Sequence, residues 1–190
     1  MVFTEWPERK YNVIYADPPW NFGGAKLNVA TEGVEITDHY PLMTDDDLLA
    51  LPVKAIADKN CLLFMWTVHS KLPFAIQLME AWGFNYSTVA FEWFKRTSTG
   101  KPVCFMGKWT TGGAIELCLL GRRGSVPRVS KTVRRLVDAP RGRHSEKPAE
   151  VRDRIVSLVG DIPRIELFSR QEAAGWDAWG NQVTSLAGDE

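Results

Sequence analysis

The strongest constraint on the fold lies near the amino terminus. Asn12-Val13-Ile14-Tyr15-Ala16 is a short apolar run, and it stops abruptly at Asp17-Pro18-Pro19. A run of that length, rich in β-branched and aromatic residues, reads as a buried strand. Two prolines, which cannot donate to a strand ladder, end it. Further short apolar runs recur at 61–67, 86–94, 115–120, 164–168 and 176–179. Helical patterns lie between them. Thr44 with Asp47 forms a capping-box pattern. Ser70 is placed to cap a helix with apolar positions Leu72, Ala75, Ile76 and Met79, ended by Gly83. Ser145 is placed to cap another, with Pro148 in its first turn, an apolar face of Val151, Ile155, Leu158 and Val159, a Glu150–Arg154 pair, and Gly160 as its stop. Strands alternating with helices predict an α/β fold with a mainly parallel sheet covered on both faces. The third and fourth strands have no helix between them, which predicts an antiparallel strand at one edge.

Composition narrows the class. At 190 residues, with 45% hydrophobic and 24% charged residues, the chain is expected to form one domain spanning 1–190. It contains no run of ~18 apolar residues that would span a membrane. The first residues, MVFTEWPERKYN, do not resemble a signal peptide. Three scattered cysteines (Cys61, Cys104, Cys118) favour a reducing cytoplasm over a disulfide framework or a metal site. The formal net charge of zero hides an asymmetry. Residues 32–58 carry seven acids and one base, whereas residues 122–154 carry eleven bases and four acids. A local basic field of that kind suits a phosphate backbone, so a nucleic-acid partner is expected. Three long segments, 21–42, 95–113 and 121–144, read as loops, and long loops in compact domains are usually functional.

In open α/β sheets the ligand crevice lies at the carboxyl ends of the strands. The end of the first strand puts Asp17 there. The run Asp17-Pro18-Pro19-Trp20 offers a carboxylate, backbone carbonyls stiffened by two prolines, and an aromatic face. That set suits a planar base bearing an exocyclic amine, adenine or cytosine. Asp17 and the Pro18 carbonyl would accept the amine hydrogens, and Trp20 would stack on the ring. Tyr40 and His39, in the following loop, are candidates to cover the base. Trp66, at the end of the second strand, is a candidate second wall. Arg134 and Arg135 are candidates for phosphate contact beside the crevice.

The Asp17-Pro18-Pro19-Trp20 run resembles the catalytic motif of amino-methyltransferases that use S-adenosylmethionine, and its tryptophan form resembles the MT-A70 family of adenine N(6)-methyltransferases. The likeness continues through residues 39–53, 62–67, 107–121 (GKWTTGGAIELCLLG, whose start resembles a substrate-loop segment), 144–148 (HSEKP), 164–170 and 175–182. It implies a Rossmann-like methyltransferase sheet in permuted order, the catalytic motif preceding the cofactor strand. It also implies S-adenosylmethionine as cofactor and no metal. Residue by residue, Lys147 matches a lysine for the methionine carboxylate. Glu166 and Phe168 match the cofactor strand end. Arg170, Asn181 and Gln182 match positions near the ribose and adenine of the cofactor, and Asp17 faces both cofactor and substrate. Phe168-Ser169-Arg170 stands where most methyltransferases have a glycine-rich turn. The implied activity is methylation of adenine N(6) in nucleic acid. DNA is favoured because the chain shows no appended RNA-binding module. RNA, cytosine N(4), and a non-catalytic nucleic-acid-binding subunit are the alternatives, and a dimer is left open.

Overall fold

The computed structural model describes residues 5–21, 43–105, 109–142, 146–169 and 171–180. Its elements in chain order are β1 (Tyr11–Ala16), α1 (Asp45–Ala50), α2 (Val53–Ile56), β2 (Ala57–Thr67), α3 (Leu72–Ala81), β3 (Asn85–Arg96), β4 (Cys104–Phe105), β5 (Gly112–Gly113), β6 (Ile115–Arg123), β7 (Leu136–Pro140), α4 (Glu150–Val159), β8 (Arg164–Leu167) and β9 (Asp177–Trp179). Seven strands form one sheet in the order β7-β3-β6-β2-β1-β8-β9, and β4 and β5 pair as a small hairpin.

The sheet is mainly parallel, as expected. β1 pairs in parallel with both β2 and β8, β8 with β9, and β3 with β7. β6 runs antiparallel to β2 and to β3. The antiparallel strand is therefore interior, not at an edge. The reason is that β3 adds outside β6 and leaves it between β3 and β2; β7, inside the segment expected to be a basic loop, then adds outside β3 as the edge. Within β7 only Val137 is buried, so five residues supply too little apolar pattern to announce a strand. Its terminal Pro140 is tolerated because β7 is an edge.

Strand alternation divides the core between the two faces. Ile14 and Ala16 of β1 join Leu63, Met65, Leu119, Ile165 and Leu167 beneath the helices that contribute Leu48, Ile56, Ala75, Leu78 and Met79. Val13 and Tyr15 join Leu62, Phe64, Trp66 and Cys118 against Val151, Ile155 and Val159 of α4. The capping box at Thr44 and Asp47 forms as read. Ser70 instead lies in a 3-10 turn, His69–Lys71, that leads into α3. Helix α3 ends at Gly83, whose φ of +85° suits glycine. Helix α4 starts at Glu150, later than the Ser145 cap predicts; Ser145 lies outside the described residues. The Glu150–Arg154 pair closes at 2.7 Å. The three cysteines are free, Cys61 and Cys118 buried and Cys104 exposed.

Candidate active site

β1 is held by parallel partners on both sides up to Ala16, opposite Met65 of β2 and Leu167 of β8. Pro18 and Pro19 then remove two ladder donors, so the chain leaves the sheet at Asp17. The Asp17 side chain keeps about a third of its surface exposed, 33%. Lys147, in the segment entering α4, donates from Nζ to Asp17 Oδ2 at 2.6 Å. The same ammonium lies 3.5 Å from Glu116 Oε2 on β6, and Glu116 also pairs closely with Lys95 of β3. Asp17, Lys147, Glu116 and Lys95 thus form a row of alternating charges across four segments. Burial alone would lower the Lys147 ammonium, but the Asp17 and Glu116 carboxylates outweigh it and hold it above its usual value. Burial likewise pushes the Glu116 carboxyl up, and the Lys147 and Lys95 ammoniums outweigh that and keep it below its usual range.

A second layer supports this row. The Trp66 ring lies under Lys147, 5.7 Å from Nζ to the ring centroid, and Trp66 Nε1 donates to the Tyr15 hydroxyl at 2.6 Å. Tyr15 is fully buried, and burial pushes its hydroxyl well up, so it stays protonated. Beside Tyr15 in the register stands Glu166 of β8. Both Glu166 carboxylate oxygens are taken by Arg152 of α4, at 2.6 and 3.0 Å. Burial pushes Glu166 up against the pull of Arg152.

Phe168 follows β8 immediately, with φ +63°, a left-handed conformation rare for a residue with a Cβ. Here a phenylalanine adopts the backbone that a glycine turn would adopt. Its ring is held by a stack on Trp82 at 6.5 Å and an edge contact with Trp179 at 5.6 Å. The approach of Gly180 to this turn is equally tight: a Cβ on Gly180 would lie 2.2 Å from the Ser169 carbonyl oxygen.

Several expectations need correction. The Pro18 carbonyl is not unpartnered, since it accepts the Trp20 N–H at 2.9 Å. Trp20 does not offer an open stacking face. At 7% exposure it sits in the core with its ring edge-on to Phe74, and its buried Nε1 has no hydrogen-bond partner among the described residues. Trp66 is 1% exposed, so it floors Lys147 from within the core rather than walling a pocket. Glu166 stands in β8 as placed, with both carboxylate oxygens held by Arg152. Arg134 and Arg135 are exposed, but they precede the edge strand β7, four strand positions from β1. At ~4.8 Å per spacing they stand roughly 19 Å across the sheet from Asp17. His39, Tyr40, Arg170, Asn181 and Gln182 lie outside the described residues. Glu116, Lys95, Tyr15 and Arg152 were not expected at the site. The available signal for Glu116 was its lone charge in the apolar run Ile115–Leu120.

Comparison with known proteins shows the family. The chain is 37% identical to a type II methyltransferase, M.MunI, of a Mycoplasma species, over 96% of this chain and 82% of that protein. It is 26% identical to the human N(6)-adenine-specific methyltransferase METTL4, over 92% of this chain and 38% of that protein. It is 28% identical to the N6-methyladenosine RNA methyltransferase MTA1 of Pyricularia oryzae, over 91% of this chain and 47% of that protein. The chain thus spans most of the Mycoplasma relative but less than half of the other two. The model of the MT-A70 family matches residues 11–182, nearly the whole chain, and the protein belongs to the MT-A70 family of methyltransferases.

Proposed function

We propose that the protein transfers a methyl group from S-adenosylmethionine to the exocyclic N(6) amine of adenine in DNA. The observation that carries this reading is the Asp17–Lys147 pair at the carboxyl end of β1, within the Asp17-Pro18-Pro19-Trp20 run. The choice of DNA is supported by the Mycoplasma type II methyltransferase, matched over 82% of its length. RNA is the second reading, supported by the fungal RNA methyltransferase matched over 47% of its length.

The donor set suits the cofactor: the Lys147 ammonium for its carboxylate, and the Asp17 carboxylate for its cationic groups. When bound, S-adenosylmethionine supplies an electrophilic methyl on a sulfonium. The protein's task is to make a poor nucleophile attack. An adenine amine has its lone pair delocalised into the ring. Asp17 accepts one amine N–H. The Pro18 carbonyl spends one lone pair on Trp20 and keeps the other for the second N–H. Two acceptors so placed favour the tetrahedral nitrogen, whose lone pair points away from the ring. Their bonds tighten as the nitrogen becomes positive, which stabilises the transition state more than the ground state. Lys147 restrains one carboxylate oxygen of Asp17, so its orientation is set before substrate arrives. The methylated ammonium is acidic and releases its proton without a dedicated strong base.

Asp17→Ala tests the assignment. Turnover is expected to collapse while titration calorimetry with S-adenosylmethionine shows a much smaller change in affinity. Wild-type turnover in a folded Asp17→Ala protein refutes the proposed role.

A further inference from the structure

Residues 122–135 carry six cations and no acid. Arg122, Arg128, Lys131, Arg134 and Arg135 are exposed. None of these five enters an ion pair among the described residues, where the pairs all use other cations. Asp138 and Glu150, which follow in the chain, are already taken by Arg96 and Arg154. Like charges so close in sequence repel one another, a cost that a bound polyanion removes.

The segment is nonetheless fixed in place. Val126 and Val133 are half-buried and pack on the core beneath α4. The Val129 N–H donates to the Leu158 carbonyl at 2.9 Å. Arg154 Nη1 donates to the Arg134 and Leu136 carbonyls at 2.9 and 2.7 Å. The segment is thus a strap along α4, from its last turn to its middle. Arg122 stands at the head of the strap. Strand alternation puts it on the same face of β6 as Cys118, the face that α4 covers. Asp17, one residue past Ala16, stands level with Trp66, which pairs with Cys118. Arg122 lies four residues from Cys118, ~13 Å back toward the amino end of β1, and two strand spacings, ~10 Å, across the sheet. The strap therefore occupies the α4 face, not the rim on which Asp17 opens.

Resting on the proposed nucleic-acid reading, we propose that the strap is a second nucleic-acid surface. It holds the phosphate backbone of a stretch of the same DNA other than the one that presents its adenine at Asp17. Arginine and lysine side chains that displace counterions from phosphates bind any sequence, so the contact adds affinity without selecting a site. Its consequence is retention. A long polymer stays on the protein between transfers, and one encounter yields several methyl groups. On a duplex too short to reach both surfaces the strap contributes nothing to turnover.

The test compares the full chain with its triple variant Arg122→Ala, Arg128→Ala, Lys131→Ala on two substrates, long DNA and duplexes of about 12 base pairs, roughly 40 Å in length. The variant is expected to keep its melting temperature, its affinity for S-adenosylmethionine and its turnover on short duplexes. On long DNA its slope of log affinity against log salt should be shallower by roughly 2–3 units. Methyl groups transferred per encounter, measured with excess unlabelled DNA as a trap, should fall toward one. A wild-type slope in the folded variant overturns the strap's role and leaves the proposed function standing. An equal loss of turnover on short and long DNA overturns the separate surface, because the strap would then belong to the path at Asp17. Strap-dependent binding of polyglutamate without any strap-dependent binding of DNA assigns the surface to an acidic protein and overturns the proposal. A wild type that binds no DNA of either length overturns the DNA reading and the inference together.

Discussion

Replacing Arg152 by Met separates two roles for Glu166 that cannot both be its main one. The family likeness makes Glu166 a cofactor residue, yet in the fold both its oxygens are held by Arg152 at 2.6 and 3.0 Å, with the two side chains only 11% and 14% exposed. Removing one partner of a buried pair strands the other charge and costs about 3–5 kcal/mol. For a chain of this size, each kcal/mol shifts the melting temperature by roughly 2–4 °C, so Arg152→Met should melt roughly 6–20 °C lower. The deficit should depend on pH. Without Arg152, burial moves the Glu166 carboxyl still higher. A carboxyl raised in the folded state contributes its stability below the unfolded value of ~4.3 and loses it as pH rises through the folded value. Arg152→Met should therefore be worse at pH 8 than at pH 5. The double variant Arg152→Met with Glu166→Leu removes both charges and fills their volume, and should recover most of the lost stability. Thermal denaturation and calorimetry with S-adenosylmethionine read the outcome together. The clamp predicts that the double variant keeps near wild-type cofactor affinity. A double variant that is stable but has lost cofactor binding refutes the clamp and returns Glu166 to the cofactor.

Three further outcomes follow from the same charges. Lys147→Ala loses a charge-assisted bond and should weaken cofactor binding roughly 10- to 150-fold, on about 1.5–3 kcal/mol, and unchanged affinity by calorimetry would place the cofactor carboxylate elsewhere. Glu116, lowered in the fold by Lys147 and Lys95 against the effect of burial, supplies stability that is complete above ~4.3 and lost as pH falls through its folded value. Glu116→Gln should flatten that acid limb in denaturation curves, and an unaltered limb would deny Glu116 its place in the row. Changing Arg134 and Arg135 together to Ala should make the slope of log affinity against log salt shallower by roughly 1–2 units, with cofactor affinity unchanged. An unaltered slope would mean that the strand edge beyond β3 does not follow a phosphate backbone.

What local sequence encodes strongly was readable. The apolar run before Asp17-Pro18-Pro19, the Thr44 box and the Val151/Ile155/Val159 face each carry a period or a cap that few other structures tolerate. β7 was hidden because an exposed edge strand needs only one buried side chain, Val137. Its place outside β3 carries Arg134 and Arg135 away from Asp17. The candidate site was half legible. Asp17 and Lys147, 130 residues apart, are joined by the fold. The Glu116 and Arg152 partnerships depend on which strand lies beside which and on where α4 crosses, and no local pattern states that. Trp20 shows the converse. A tryptophan three residues past a candidate carboxylate reads as a stacking face, but at 7% exposure it serves the core.

The central claim is that an adenine amine accepts the methyl group. The direct measurement is incubation of the protein with S-adenosylmethionine labelled in its methyl group and, separately, single- and double-stranded DNA and RNA, followed by digestion to nucleosides and chromatography. The account predicts label in N(6)-methyldeoxyadenosine from DNA, absent when Asp17→Ala replaces the wild type. Label confined to N(4)-methylcytosine or to RNA nucleosides contradicts the proposed substrate. No transfer to any polymer by a protein that binds the cofactor contradicts the proposed activity.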